Sequence, residues 1–114
     1  MVNVFDTSAI LNNFGPIETS AYITNSVISE IKDFEFRNKL NNAISTGKLK
    51  IQDPSEASLK KVKEIQKQNK LKLSETDIEV IALALDLKAT LHSDDYNLLH
   101  ACRTLNLKTE KIIR

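Results

Sequence analysis

Five carboxylates could do chemistry in this sequence: Asp6, Glu30, Asp77, Asp94 and Asp95. They come from four separate stretches, "VNVFDTSAIL", "VISEIK", "LSETDIEVIALAL" and "LHSDDYNLL". Asp6 stands where an apolar run stops, and a carboxylate there is costly unless it is solvated, caps a helix or holds a cation. Carboxylates gathered in space repel one another and raise each other's pKa. A hard divalent cation relieves that conflict. Mg²⁺ and Mn²⁺ prefer oxygen ligands, and Mg²⁺ keeps waters and takes substrate phosphates. Such a centre suits phosphodiester hydrolysis, in which a metal activates water, aligns the attack and stabilises the leaving oxygen. Each acid also has a plain structural role open to it. Asp6 can cap a helix, Asp77 can serve a capping box with Ser74, Asp94 and Asp95 can sit in a helix's first turn, and Glu30 can be a surface acid. Those roles do not explain why the acids recur at equivalent places in the chain.

The elements that must position them alternate. Residues 2–5 read as a strand, followed by a helix over 6–14 with Asp6 or Thr7 at its cap, ended by Gly15-Pro16. Residues 21–24 read as a second strand. A helix capped by Asn25 or Ser26 follows and runs to about Ser45, with Gly47 closing the region. Residues 48–52 form a third strand in which Leu49 and Ile51 alternate with polar neighbours. Pro54 starts a helix with Leu59, Val62 and Ile65 on one face and many lysines on the other. Residues 74–87 give the strongest helix signal, apolar on almost every side after Asp77. Residues 89–92 form a strand, a helix capped by Ser93 or Asp94 follows, and 107–113 supply a last strand. The alternation predicts an α/β fold, a mainly parallel central sheet between two helical layers. In such sheets ligands bind beyond the carboxyl ends of the strands. Asp6 ends strand one, Asp94 and Asp95 follow strand four, Asp77 opens the buried helix, and Glu30 lies two turns into the helix after strand two. One sheet edge can therefore receive acids from all four segments.

Length and composition set the bounds. The 114 residues suit one domain, 1–114, with a single core. Hydrophobic residues at 41% and charged residues at 27% match globular proteins. With no tryptophan, the core must be built of Leu, Ile, Val and Ala. Nothing approaches the ~20 apolar residues that span a bilayer, and the N-terminus lacks a signal-peptide pattern. The lone Cys102 excludes an internal disulfide framework and a cysteine-rich zinc site. A cytoplasmic protein with no membrane partner is the expectation. Net charge is +1. Setting the five acids aside leaves 16 basic and 10 acidic side chains elsewhere, a balance of +6 that can attract a polyanion.

The four acid-bearing stretches, in this order, resemble the motifs of PIN-domain nucleases, and they span nearly the whole chain. The resemblance implies a three-layer α/β/α PIN-like fold and an acidic Mg²⁺ or Mn²⁺ site. It further implies endoribonuclease activity leaving a 5′-phosphate and a 3′-hydroxyl. It maps Asp6, Glu30, Asp77 and Asp95 onto the family's catalytic, metal-binding acids, with Asp94 as an additional metal candidate. Thr7 and Ser8 match the small polar pair that orients the first aspartate, and Ser93 opens the last motif. Two branches fit. One is the VapC-type toxins, small and usually dimeric, paired with an antitoxin. The other is the archaeal endonucleases that mature small-subunit ribosomal RNA, whose partners are pre-ribosomal particles. The latter share the "SDDY" and "LSETD" wording but carry a zinc ribbon, which this sequence does not contain.

Other residues weigh less. Lys60, Lys61, Lys63, Lys67, Lys70 and Lys72 suit either a solvated helix face or an RNA backbone track. No aromatics interleave them for base stacking. His92 and His100 lack zinc-pair spacing. Cys102 reads as a small core residue. His92 could approach the site as a proton carrier but reads first as structural. Tyr96, beside the acid pair, could touch a substrate base but reads first as a packing residue. Two rival functions remain. A non-catalytic PIN module binding RNA or protein predicts a damaged acid set. A receiver-like phosphate-handling domain needs an acceptor aspartate at the end of strand three, where only Asp53 beside Pro54 is present.

Overall fold

A computed structural model of the chain describes residues 2–12 and 20–112. Five strands, β1 (Asn3–Phe5), β2 (Ala21–Ile23), β3 (Leu49–Ile51), β4 (Thr90–Ser93) and β5 (Thr109–Lys111), form one sheet in the order β3-β2-β1-β4-β5. Every pairing is parallel. All carboxyl ends therefore share one edge. Chain order reverses beside β1, with β2 and β3 built outward on one side and β4 and β5 on the other. That reversal opens a crevice beyond the ends of β1 and β4, where open α/β sheets take their ligands.

Among the described residues six helices cover the sheet: α1 (Thr7–Leu11), α2 (Asn25–Glu30), α3 (Phe34–Ser45), α4 (Glu56–Asn69), α5 (Glu75–Leu87) and α6 (Tyr96–Thr104). The result is the three-layer α/β/α arrangement that the alternation predicts. The core is aliphatic, as the composition requires. Val4, Ile10, Ile23, Leu40, Leu91 and Leu98 are fully buried, and among the described residues Phe5 is its one buried aromatic. Helix α5 buries Ile78 and every residue from Val80 to Ala84. At about 1.5 Å per residue it runs about 20 Å. It feeds the amino end of β4 through Lys88 and Ala89, so its own start, with Asp77, lies at the carboxyl edge.

Several boundaries differ from the sequence expectation. The long helix to Ser45 is two helices. Ile31 leaves α2 in an extended conformation to bury its side chain, and Asp33 caps α3 by accepting from the Phe36 N–H at 3.1 Å. Thr24, not Asn25 or Ser26, caps α2, because its buried hydroxyl accepts from the Val27 N–H. Pro54 precedes the cap of α4, which is Ser55. Asp95, not Ser93 or Asp94, caps α6. Asp6 is the cap of α1, which is described to Leu11; Gly15-Pro16 lies outside the described residues. Among the described residues no helix is long and apolar enough to cross a membrane.

Candidate active site

Asp6 is 5% exposed and lies between the first turn of α1 and the end of β4. Its Oδ1 accepts from the Ser8 hydroxyl at 2.7 Å and from the Ala9 N–H at 2.9 Å. Its Oδ2 accepts from the hydroxyl of Ser93, which is wholly buried. Burial pushes the Asp6 carboxyl above its ordinary range; these three donors oppose the rise, and the charge of Asp94 adds to it. Three donors thus hold a carboxylate that its surroundings would rather protonate.

Ser93 organises the end of β4. Besides donating to Asp6 it accepts from the Asp95 N–H at 3.0 Å. Asp95 in turn caps α6, its Oδ1 taking the N–H groups of Asn97 at 2.9 Å and Leu98 at 3.3 Å. The Asp94 N–H donates to the Ser8 hydroxyl at 3.1 Å, and Asn12 Nδ2 donates to Asp94 Oδ2 at 3.2 Å. Ser93 and Asp94 are engaged in this way, which leaves the capping role to Asp95. Asn12 is a site residue that the sequence reading missed. Its signal is its place at i+4 from Ser8, whose carbonyl it also bonds at 2.9 Å.

Asp77 reaches the same edge from α5. It completes a capping box, accepting from the Ser74 N–H and donating its own N–H to the Ser74 hydroxyl, both at 3.1 Å. Half-burial raises its pKa first. The Ser74 N–H offsets part of the rise, while the charges of Asp95 and Asp6 add to it. Asp94, Asp6, Asp77 and Asp95 are thus linked by mutual repulsion, drawn from β1, α5 and the β4–α6 turn. Glu30 is exposed and joins the group through Thr7, whose hydroxyl donates to its Oε1 at 2.7 Å. Of the small polar pair, then, Ser8 orients Asp6 and Thr7 holds Glu30.

Among the described residues no three acidic, histidine or cysteine side chains form a ready-made metal cage. The donor set nevertheless fits a hydrated hard cation. It is all oxygen and mutually repelling, and among the described residues Asp77 Oδ1 and Asp95 Oδ2 take no hydrogen bond. Ions of this type bind through retained waters as well as directly. His92 contributes nothing to it. Its Nε2 pairs with Asn3 Oδ1 at 2.8 Å, its ring meets Phe5 edge-on at 5.0 Å, and burial lowers its pKa against the pull of Glu110. Cys102 is fully buried, and desolvation pushes its thiol up to about 12, so it is inert. A cavity of about 160 Å³ opens at the opposite, amino-terminal edge of the sheet, between Asn3, Tyr22, Gly47 and Lys50, and none of the acids lines it.

A family model described as the PIN domain of ribonuclease matches residues 3–87. The chain belongs to the PIN-domain family. This PIN domain is 40% identical over 113 residues to Endoribonuclease Nob1 of Pyrococcus abyssi, a match covering 97% of the chain and 68% of that protein. It is 34% identical over 110 residues to Ribonuclease VapC1 of Thermoplasma acidophilum, covering 94% of the chain and 56% of that protein. The chain thus spans between about half and two thirds of these relatives. In fold it is similar to VapBC2 from Rickettsia felis, with a TM-score of 0.69 at 19% identity over 97% of this chain and 98% of that one. The α/β/α architecture expected from the motifs is therefore that of the family.

Proposed function

We propose that this PIN domain is a divalent-metal-dependent endoribonuclease, cutting RNA phosphodiester bonds with Mg²⁺ or Mn²⁺. The observation that carries the reading is the convergence of Asp6, Asp77, Asp94 and Asp95 on the crevice beside β1 and β4, where burial first and the neighbouring carboxylate charges second raise the pKa of Asp6 and Asp77. When bound, the cation supplies water activation and charge neutralisation at the phosphodiester. The chain's own groups do the rest. Asp6, Asp77 and Asp95 hold the cation directly or through water, with Asp94 beside Asp6 and Glu30 at the rim. Ser8 and Ser93 fix the Asp6 carboxylate, and Ser74 fixes Asp77. The reading treats residues 1–114 as one PIN domain in a cytoplasmic setting. Its substrate is RNA, and its partners are a pre-ribosomal particle or an antitoxin, with a second copy of the chain in the toxin case. The "SDDY" and "LSETD" wording favours the ribosomal-RNA branch.

The test is cleavage of a single-stranded RNA panel with Mn²⁺, with EDTA, and by Asp77→Asn. Chelation and the substitution are each expected to abolish cutting. Cleavage that survives both overturns the reading. Copurification with precursor ribosomal RNA or with a small antitoxin separates the branches.

A further inference from the structure

Tyr96, expected to pack, is 70% exposed. It opens α6 immediately after Asp95, and among the described residues its hydroxyl has no hydrogen-bond partner. The ring is not needed for the core, because α6 already buries Leu98, Leu99, Ala101 and Cys102 on its inner face. An aromatic this exposed loses the area it would bury and gains nothing from the fold. Asp95 and Tyr96 have Cα atoms about 3.8 Å apart. The ring is anchored one residue from a carboxylate of the proposed site. A nucleobase offers a flat π-face on either side of that phosphate, and single strands bind protein by stacking bases on aromatic rings. Among the described residues no lysine, arginine or aromatic partner claims the ring, whereas the Tyr22 and Phe36 rings each sit under a lysine.

We propose that Tyr96 is a substrate-positioning residue that stacks on a base flanking the scissile phosphate of single-stranded RNA. This rests on the endoribonuclease reading. Stacking of this kind tolerates any base, so Tyr96 would anchor the strand without choosing its sequence. The rigid N-terminus of α6, capped by Asp95, fixes where the ring stands. The base then sets the register in which the next phosphate meets the acids.

The chain has no tryptophan, so Tyr96→Trp installs a unique fluorophore. Single-stranded RNA added in EDTA is expected to quench it, and an abasic oligonucleotide of equal length is expected to leave it bright. In cleavage assays with Mn²⁺, Tyr96→Ala is expected to raise KM about tenfold, within the range that losing one stacked base implies. Its kcat should stay within about twofold, and Tyr96→Phe should restore the lost affinity. If the wild type cleaves but Tyr96→Ala is unchanged and the tryptophan stays bright, the proposal is overturned and the endoribonuclease reading stands. If the wild type cleaves nothing yet quenching needs bases, stacking is supported and catalysis is not. Equal quenching by intact and abasic strands overturns stacking in either case.

Discussion

Two aspartates of this chain wear nearly the same hydrogen bonds and come out with opposite properties. Asp6 accepts from two serine hydroxyls and one backbone N–H. So does Asp86 near the end of α5, which takes the Ser55 N–H at 2.6 Å, the Ser55 hydroxyl at 2.8 Å and the Ser58 hydroxyl at 2.5 Å. At Asp86 desolvation pushes upward but is outweighed by these donors, and the pKa falls. At Asp6 deep burial wins over the donors, Asp94 adds its repulsion, and the pKa rises. The number of donors does not decide the outcome; burial and like charge do. Asp86 is an exposed clamp that ties the start of α4 to α5. Asp6 is a carboxylate kept under electrostatic load, a condition that stability alone does not call for and that a cation would relieve.

The sharpest way to break this comparison is Asp6→Asn. RNA cleavage is expected to fall at least about a hundredfold, the scale set by losing groups that support a metal. Asp86→Asn should leave turnover within about twofold. Equal losses in the two variants would erase the distinction. Ser93→Ala comes next, with a loss of about 10- to 100-fold. Because the Ser93 hydroxyl opposes the rise at Asp6, its removal should also move the acidic limb of the pH–rate profile to higher pH. A profile that keeps its position would show that Ser93 does not act through Asp6.

Stability should divide the same way. Asp86→Ala is expected to cost about 1–2 kcal/mol in chemical denaturation, since it removes the charged acceptor of three hydrogen bonds at an exposed site. In EDTA, the folded forms of Asp6 and Asp77 bind a proton more readily than an unfolded carboxyl of pKa about 3.9. Their contribution to stability therefore grows as pH falls from the raised values toward that figure. Asp86 does the reverse. Its contribution is full above about 3.9 and is lost as pH falls through its depressed folded value. Denaturation followed across pH should show Asp6→Asn removing the gain and Asp86→Asn removing the loss. The smallest effect lies at Lys88, two residues past Asp86, whose φ of 50° is left-handed. Lys88→Gly should stabilise by up to about 1 kcal/mol, because glycine adopts that conformation without steric cost. A destabilised variant would show that the Lys88 side chain contributes more than its backbone strain costs.

Much of this was legible in the sequence wherever a local rule and a tertiary need agreed. The alternating elements gave the parallel sheet. Ser74 and Asp77 gave the capping box, because the three-residue spacing is itself the geometry. Asp6, Asp77, Asp94 and Asp95 can be placed on one edge because each follows a strand or opens a helix. Failures came where tertiary contacts set the outcome. The break at Ile31 depends on what that side chain buries against, and the choice of Asp95 as cap depends on Ser93 being taken by Asp6, 87 residues earlier in the chain. The division of labour between Thr7, which binds Glu30, and Ser8, which binds Asp6, is of this kind. Tyr96 was misread because an amphipathic ring suits a core and a surface equally; only the full apolar face of α6 shows that no room was needed for it.

The most direct test of the proposed centre is Mn²⁺ affinity, read by electron paramagnetic resonance of free Mn²⁺ titrated with the wild type, Asp6→Asn, Asp77→Asn and Asp86→Asn. The account predicts one affinity for the wild type and Asp86→Asn, and at least tenfold weaker binding for the other two. Four indistinguishable titrations would contradict it.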